Sequence, residues 1–308
     1  MLQFKKIGLE DREFVSRKLE KLNCKLLNYN FIVMYIYRDI IHFEYAVYGD
    51  FLVVKTLIDG KKQFLFPVGE GDPFPVLDEI KNYALEKGEN CHFFQFCEEN
   101  AQVLLSWIEM LNRSGSYTYE LYDVRSEFEY IYAAKDLIEL QGSAFKPKRN
   151  HVNHFLKSYS WTEEIIDESN LPEVVAYSKA WDKAREIDGQ SRLLLENQAL
   201  YEALDHYFEL GIRGLLIRIE GEITAFSIGC PLCDDTYLVL FEKADWRING
   251  SYAIINREFV KVIAEGYPYI NRAEDGGVEG LRKAKMSYNP LFLQKVYHLD
   301  LFQKIRKK

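Results

Sequence analysis

What the chain lacks narrows it first. No apolar run approaches the roughly 18–20 residues that a membrane helix needs. The N-terminus, Met1-Leu-Gln-Phe-Lys-Lys6, has no apolar core of the kind that marks a signal peptide, so a cytoplasmic location is expected. Cysteine is scarce. Five residues, an odd number in a chain of 308, form no small-domain disulfide framework and fit a reducing compartment. An excess of positive charge is missing as well. The net charge is −8, and residues 1–150 and 151–308 each carry −4, so neither half is a basic nucleic-acid module and no general DNA binder is expected. Gly-x-Ser-x-Gly, Walker and Rossmann patterns are absent.

Aromatic residues are plentiful instead, with 21 Tyr and 20 Phe, enough for β-rich cores or the lining of a groove. Elements read from periodicity and turn chemistry follow one order twice. The first pass has a strand at 3–7, an amphipathic helix at 10–22, and strands at 43–48, 51–58 and 63–68. Gly49-Asp50 and Asp59-Gly60 supply the hairpin turns. A helix starts behind Asp72-Pro73 and stops at Gly88. A strand at 91–97, a helix at 101–111 and a strand at 117–122 close the unit. The second pass has a strand at 161–166, helices at 171–185 and 196–209, and strands at 215–219, 223–229 and 236–241. It continues with a helix at 251–264, a strand at 267–273, a helix at 279–288 and a strand at 293–299. This βααβββαβαβ order predicts a tandem α/β (α+β) protein, each unit a mixed twisted sheet flanked by helices. The units are placed at 1–142 and 143–308, with residues 133–159 reading as two helical pieces broken at Gly142.

Two stretches carry chemistry. One is Asp275-Gly-Gly-Val-Glu-Gly-Leu-Arg-Lys-Ala-Lys-Met-Ser-Tyr-Asn-Pro290. Arg282 and Lys285 share a helical face, a pattern that suits phosphate or an ester carbonyl and equally a solvated helix. Leu281, Lys285 and Tyr288 form a stripe expected to face inward, because Leu281 needs burial. An inward Lys285 then needs a carboxylate or ligand anion, with Glu242 and Asp275 as candidates. The other stretch, residues 130–155, is an aromatic strand, a Leu140-Gln-Gly142 turn, then Lys148-Arg-Asn-His151 and Phe155. In this order and at this distance the two stretches resemble the phosphatidylglycerol lysyltransferase C-terminal-domain family, most strongly from about residue 130 onward.

The resemblance implies tandem GNAT units, similar to Fem-type enzymes that take an aminoacyl group from charged tRNA and give it to a hydroxyl or amine. Lipid enzymes of this kind carry a membrane-embedded domain before the region; no apolar run here reaches that length. A tRNA acceptor end would need only a local cationic groove. In such a fold the end of the fourth strand borders the acyl-transfer centre, and Glu242 and Asp245 leave that strand, unless they are plain surface-turn acids. The resemblance gives Lys285 the task of polarising the ester carbonyl. Glu242 or Asp275 would handle the proton. Arg282 and Arg247 would meet phosphate, and Lys148 and Arg149 would line a groove between the units.

A CoA user would show Arg/Gln-x-x-Gly-x-Gly/Ala after the fourth strand. Here Arg247-Ile-Asn-Gly-Ser-Tyr252 keeps Arg247 and Gly250, but Tyr252 opposes close approach by a pyrophosphate, so CoA is disfavoured. Gly69-Glu-Gly-Asp-Pro73 opposes phosphate in the first unit, which is left as an acceptor or scaffold unit. No metal is implied, since His151 and His154 lack a third ligand. Cys230-Pro-Leu-Cys233 reads as a hairpin turn with incidental thiols. The favoured reading is transfer from the acceptor end of aminoacyl-tRNA to a small-molecule, lipid or peptide acceptor. Its rivals are a CoA-dependent N-acyltransferase on a small amine and a non-catalytic binding protein.

Overall fold

Alternating apolar residues and tight turns build two seven-stranded sheets in the computed structural model, which describes residues 1–20, 22, 24–58, 60–184 and 191–304. Among these residues no helix is long and apolar enough to cross a membrane. The chain divides into two compact units, one running to Glu129 and including the stretch from Gln294, the other covering Tyr130–Leu293.

The first unit contains β1 (Lys5–Lys6), α1 (Arg12–Glu20), α2 (Phe31–Ile36), β2 (Glu44–Tyr48), β3 (Phe51–Ile58), β4 (Lys61–Phe64), α3 (Phe74–Glu86), β5 (Cys91–Phe96), α4 (Glu98–Leu111) and β6 (Tyr117–Asp123). Its core gathers Phe64, Phe93, Phe96, Leu104 and Trp107, all fully buried. The residue-21 end of the expected helix 10–22 and Asp59 of the second hairpin turn lie outside the described residues. Helix α2 is absent from the sequence reading. All six of its residues are buried, so it shows no polar face and no helical period. Its visible signal was the N-cap: Asn30 Oδ1 accepts from the backbone N–H of Ile32 at 2.9 Å and Val33 at 3.3 Å.

The second unit is made of β7 (Glu129–Ala133), α5 (Ala134–Glu139), α6 (Lys146–Ser158), β8 (Trp161–Ile165), α7 (Leu171–Ala184), α8 (Ser191–Asp205), β9 (Arg213–Ile219), β10 (Glu222–Cys233), β11 (Thr236–Ala244), α9 (Ser251–Val262), β12 (Tyr269–Asn271), α10 (Glu279–Met286) and β13 (Phe292–Gln294). The last strand, β14 (Tyr297–Gln303), belongs to the first unit. Position 185, the expected end of α7, lies outside the described residues. Cys230-Pro-Leu-Cys233 is the end of β10 and not a turn; the chain reverses at Asp234-Asp235, and the ladder absorbs Pro231 at an irregularity between Pro231 and Cys233.

Strand order is β1-β2-β3-β4-β5-β14-β6 in one sheet and β8-β9-β10-β11-β12-β7-β13 in the other. The two orders match, with β14 and β7 in equivalent places. Each sheet therefore takes its sixth strand from the C-terminal end of the other expected half, 1–142 or 143–308. This displaces the boundary from 142/143, because residues 130–133 pair with β12. It also moves the final strand, expected to complete the second unit, to a place between β5 and β6. Periodicity reveals that a segment is a strand; it is silent about which sheet receives it.

Strands β11 and β12 run parallel and pair only from Thr236↔Tyr269 to Leu238↔Asn271. Beyond that point β11 continues to Ala244, paired with β10, while β12 ends. The carboxyl ends of the two strands part there, the position at which open α/β sheets form crevices.

Candidate functional site

The chain leaves β12 through Arg272-Ala-Glu-Asp-Gly-Gly277 before entering α10. Gly276 and Gly277 both have positive φ, 54° and 80°, which glycine accepts without strain. Asp275 anchors this turn and is fully buried. Its Oδ1 accepts from Gly277 N–H at 2.8 Å and Arg282 Nη2 at 2.9 Å; its Oδ2 accepts from Arg282 Nε at 2.9 Å and Tyr130 Oη at 2.7 Å. Burial alone would raise the Asp275 pKa. The bidentate guanidinium, the Tyr130 hydroxyl and the Gly277 amide outweigh it and hold the carboxyl well below the usual range. Asp275 and Arg282 are thereby committed to each other.

Lys285 is the buried side chain of α10. Its Nζ donates to the carbonyl oxygens of Arg272 and Glu274, each at 2.5 Å, and sits 5.6 Å from the Tyr130 ring centre. Among the described residues no carboxylate pairs with it directly, contrary to the expectation for Glu242 and Asp275. Two carbonyls of the turn take that place. Burial pushes the ammonium down to about 8; Glu274 opposes the shift and Arg272 adds to it. Leu281, expected to bury alongside, is 40 % exposed. The inward face of α10 meets the polar backbone of the turn and not an apolar core.

Arg272, which sequence reasoning passed over, stands at the centre of the crevice. Its Nη2 donates to Glu242 Oε1 at 2.9 Å, and Asn256 Nδ2 donates to Glu242 Oε2 at 3.3 Å. The guanidinium lies 4.8 Å from the Tyr288 ring centre and 5.8 Å from that of Tyr132. The Tyr132 hydroxyl donates to the Lys285 carbonyl at 2.8 Å. Lys148, on α6, places its ammonium 4.0 Å from the Tyr288 ring centre. Burial, then the charge of Arg272, lowers Lys148 to about 8 against the pull of Glu242. A cation interrupting the otherwise apolar stretch 267–273 was the one signal that marked Arg272.

Lys148, Glu242, Asp275, Arg282 and Lys285 thus share one region of the second unit. The remaining candidates serve elsewhere. Arg149 donates to the carbonyls of Leu140 and, at 3.1 Å, Gly142, closing the turn behind α5. Arg247 folds back on Asp245, with Nε to Oδ1 at 2.9 Å and Nη2 to Oδ2 at 2.7 Å, on the turn between β11 and α9. Gly250 has φ +92°, and a Cβ there would clash with the His151 carbonyl oxygen and lie 3.0 Å from Phe155 Cβ. Helix α6 therefore packs on the turn that opens α9. His151 Nδ1 meets Asn249 Oδ1 at 2.7 Å in the same contact. Among the described residues no group of three or more His, Cys, Asp or Glu side chains is placed to hold a metal ion. Burial pushes the Cys230 thiol up to about 12, which leaves it unreactive.

Comparison with known proteins identifies the family and the fold. The sequence matches the family described as phosphatidylglycerol lysyltransferase, C-terminal, over residues 22–299. A conserved protein of unknown function from Bacteroides thetaiotaomicron superposes with a TM-score of 0.89 at 34% identity, covering 98% of this chain and 100% of that one. L-PGS from Bacillus licheniformis gives 0.63 at 18% identity over 96% and 93%. FemX gives 0.56 at 9% identity over 97% and 96%. The fold is tandem GNAT-like, with two mixed sheets flanked by helices. The chain belongs to the phosphatidylglycerol lysyltransferase C-terminal family.

Proposed function

We propose that this chain moves an aminoacyl group from the acceptor end of a charged tRNA to a hydroxyl or amine acceptor. Family and fold support an aminoacyl-tRNA-dependent transferase. The observation that carries the reading further is Lys285, a buried ammonium at the parting of β11 and β12. An ammonium has three donors. Two are spent on the carbonyls of Arg272 and Glu274, which fix its position, and the third is left for the ester carbonyl. The acceptor attacks that carbonyl, the ester C–O bond to the terminal ribose breaks, and Glu242 carries the acceptor's proton toward the ribose oxygen. Asp275 and Arg282, fully engaged with one another, position the turn that holds Lys285.

Two features favour an RNA ester over a CoA thioester as donor. Tyr252 stands where a small residue would admit a pyrophosphate, and α6 packs on Gly250 at the turn that would cradle it. The test incubates the protein with tRNAs charged with single labelled amino acids, with and without phospholipid, peptide and amine acceptors. Loss of labelled ester should depend on protein and acceptor, and Lys285→Ala should slow it about 100-fold or more. Consumption of acetyl-CoA with every charged tRNA untouched would replace this reading with a CoA-dependent one.

A further inference from the structure

Two of the cations near the end of β12, Lys148 and Arg272, share one aromatic neighbour, Tyr288. Arg272 also lies near Tyr132, while the Lys285 ammonium sits against Tyr130. Glu242 accepts from Arg272 through Nη2 alone, and from Asn256. Asp275 is occupied by Arg282. Arg272 Nη1 is buried and has no hydrogen-bond partner among the described residues. The Lys148 ammonium rests on the Tyr288 ring face, with no carboxylate or carbonyl acceptor among the described residues. A buried guanidinium N–H left in this way is costly unless an acceptor completes it, and the half-buried Lys148 ammonium lies against the same ring.

We infer that Arg272 Nη1 and the Lys148 ammonium form a seat for one phosphodiester group, that of the terminal nucleotide of the RNA donor. One guanidinium N–H and one mobile ammonium, supplied by different elements, suit the two non-bridging oxygens of a phosphodiester. The naming of RNA rests on the transferase reading; the need for an anion does not. Chemistry ties the two together. In an aminoacyl ester of tRNA, the ribose that bears the ester carries its own phosphodiester on the 5′ oxygen. An ester seated at Lys285 therefore brings one phosphate a single ribose away. Arg272 spans that interval, holding Lys285 through its backbone carbonyl and offering Nη1 from its side chain. The Tyr288 ring lies against both cations.

The test measures binding of the trinucleotide cytidylyl-cytidylyl-adenosine and of its analogue whose last linkage is an uncharged methylphosphonate. The wild-type protein should bind the charged trinucleotide about tenfold or more tighter than the analogue, the usual scale for a charge-assisted contact. Lys148→Met should erase that difference while leaving affinity for the analogue unchanged. Arg272→Gln should do the same, and Lys148→Met, on a half-buried side chain, keeps the test decisive if Arg272→Gln fails to fold. Equal binding of the two probes by wild-type protein would overturn the proposal. So would a Lys148→Met defect confined to vesicles of anionic phospholipid measured against phosphatidylcholine. Discrimination between the probes without any aminoacyl transfer would leave the phosphate seat standing and sink the transferase reading. Transfer unaffected by Lys148→Met and by the methylphosphonate would do the reverse.

Discussion

Lys285 shows how burial without a charged partner becomes a measurable property. Its ammonium is lowered to about 8 by burial, below the roughly 10.4 of an unfolded lysine. Between those values the unfolded chain binds more protons than the native one, so this group's contribution to stability rises with pH. Below pH 8 its full cost is present; above about 10 that cost is gone. Relative to Lys285→Met, the wild-type protein should gain about 2 kcal/mol between pH 7.5 and 9.5 in urea unfolding, since one pKa unit is worth about 1.4 kcal/mol. A pH-independent difference between the two proteins would show that Lys285 is solvated. At this scale the sequence marked Lys285, Asp275 and Lys148, since charge at helical spacing is visible in one dimension. It missed Arg272 and Tyr130, whose roles depend on partners far along the chain, Glu242 for one and Asp275 for the other.

Elements were legible where they carried a period or a punctuation mark. Hairpin β2–β3 announced itself by Gly49-Asp50. Helix α2, apolar on every side, did not. Helix α10 was placed correctly along the chain, and Lys285 and Tyr288 face inward as read, but Leu281 does not, because a turn rich in carbonyl groups draws the lysine and leaves Leu281 outside. Gly250 illustrates the other limit. Its sequence context suggested a phosphate cradle, but its φ of +92° and the adjacent α6 backbone give it a packing reason to be glycine. Gly250→Ala should therefore destabilise the protein by about 2 kcal/mol or more, combining left-handed backbone strain with displacement of α6. Thermal or urea unfolding measures it. An unchanged stability would mean that α6 does not press on this turn.

For the whole molecule, the exchange of β7 and β14 between sheets has a consequence for folding. Strand β14 lies between β5 and β6 with ladders on both sides, and it buries Leu299 and Leu301 in the first unit's core. A chain shortened to residues 1–293 would open two strand edges and a gap in that core. It should lose cooperative unfolding of the first unit, seen as a lower, broader thermal transition by circular dichroism. A sharp transition at the wild-type temperature would show that the strand is dispensable. The sequence by itself determined the class of the protein, its repeated order of strands and helices, its family, and the charged stretch around Lys285. Those features are local, set by side-chain period, turn residues and short-range motifs. The tertiary structure alone decided which sheet receives β14, that carbonyl groups hold Lys285, and that Arg272 completes the crevice. These depend on contacts between residues distant along the chain, and such pairings leave no trace in local spacing.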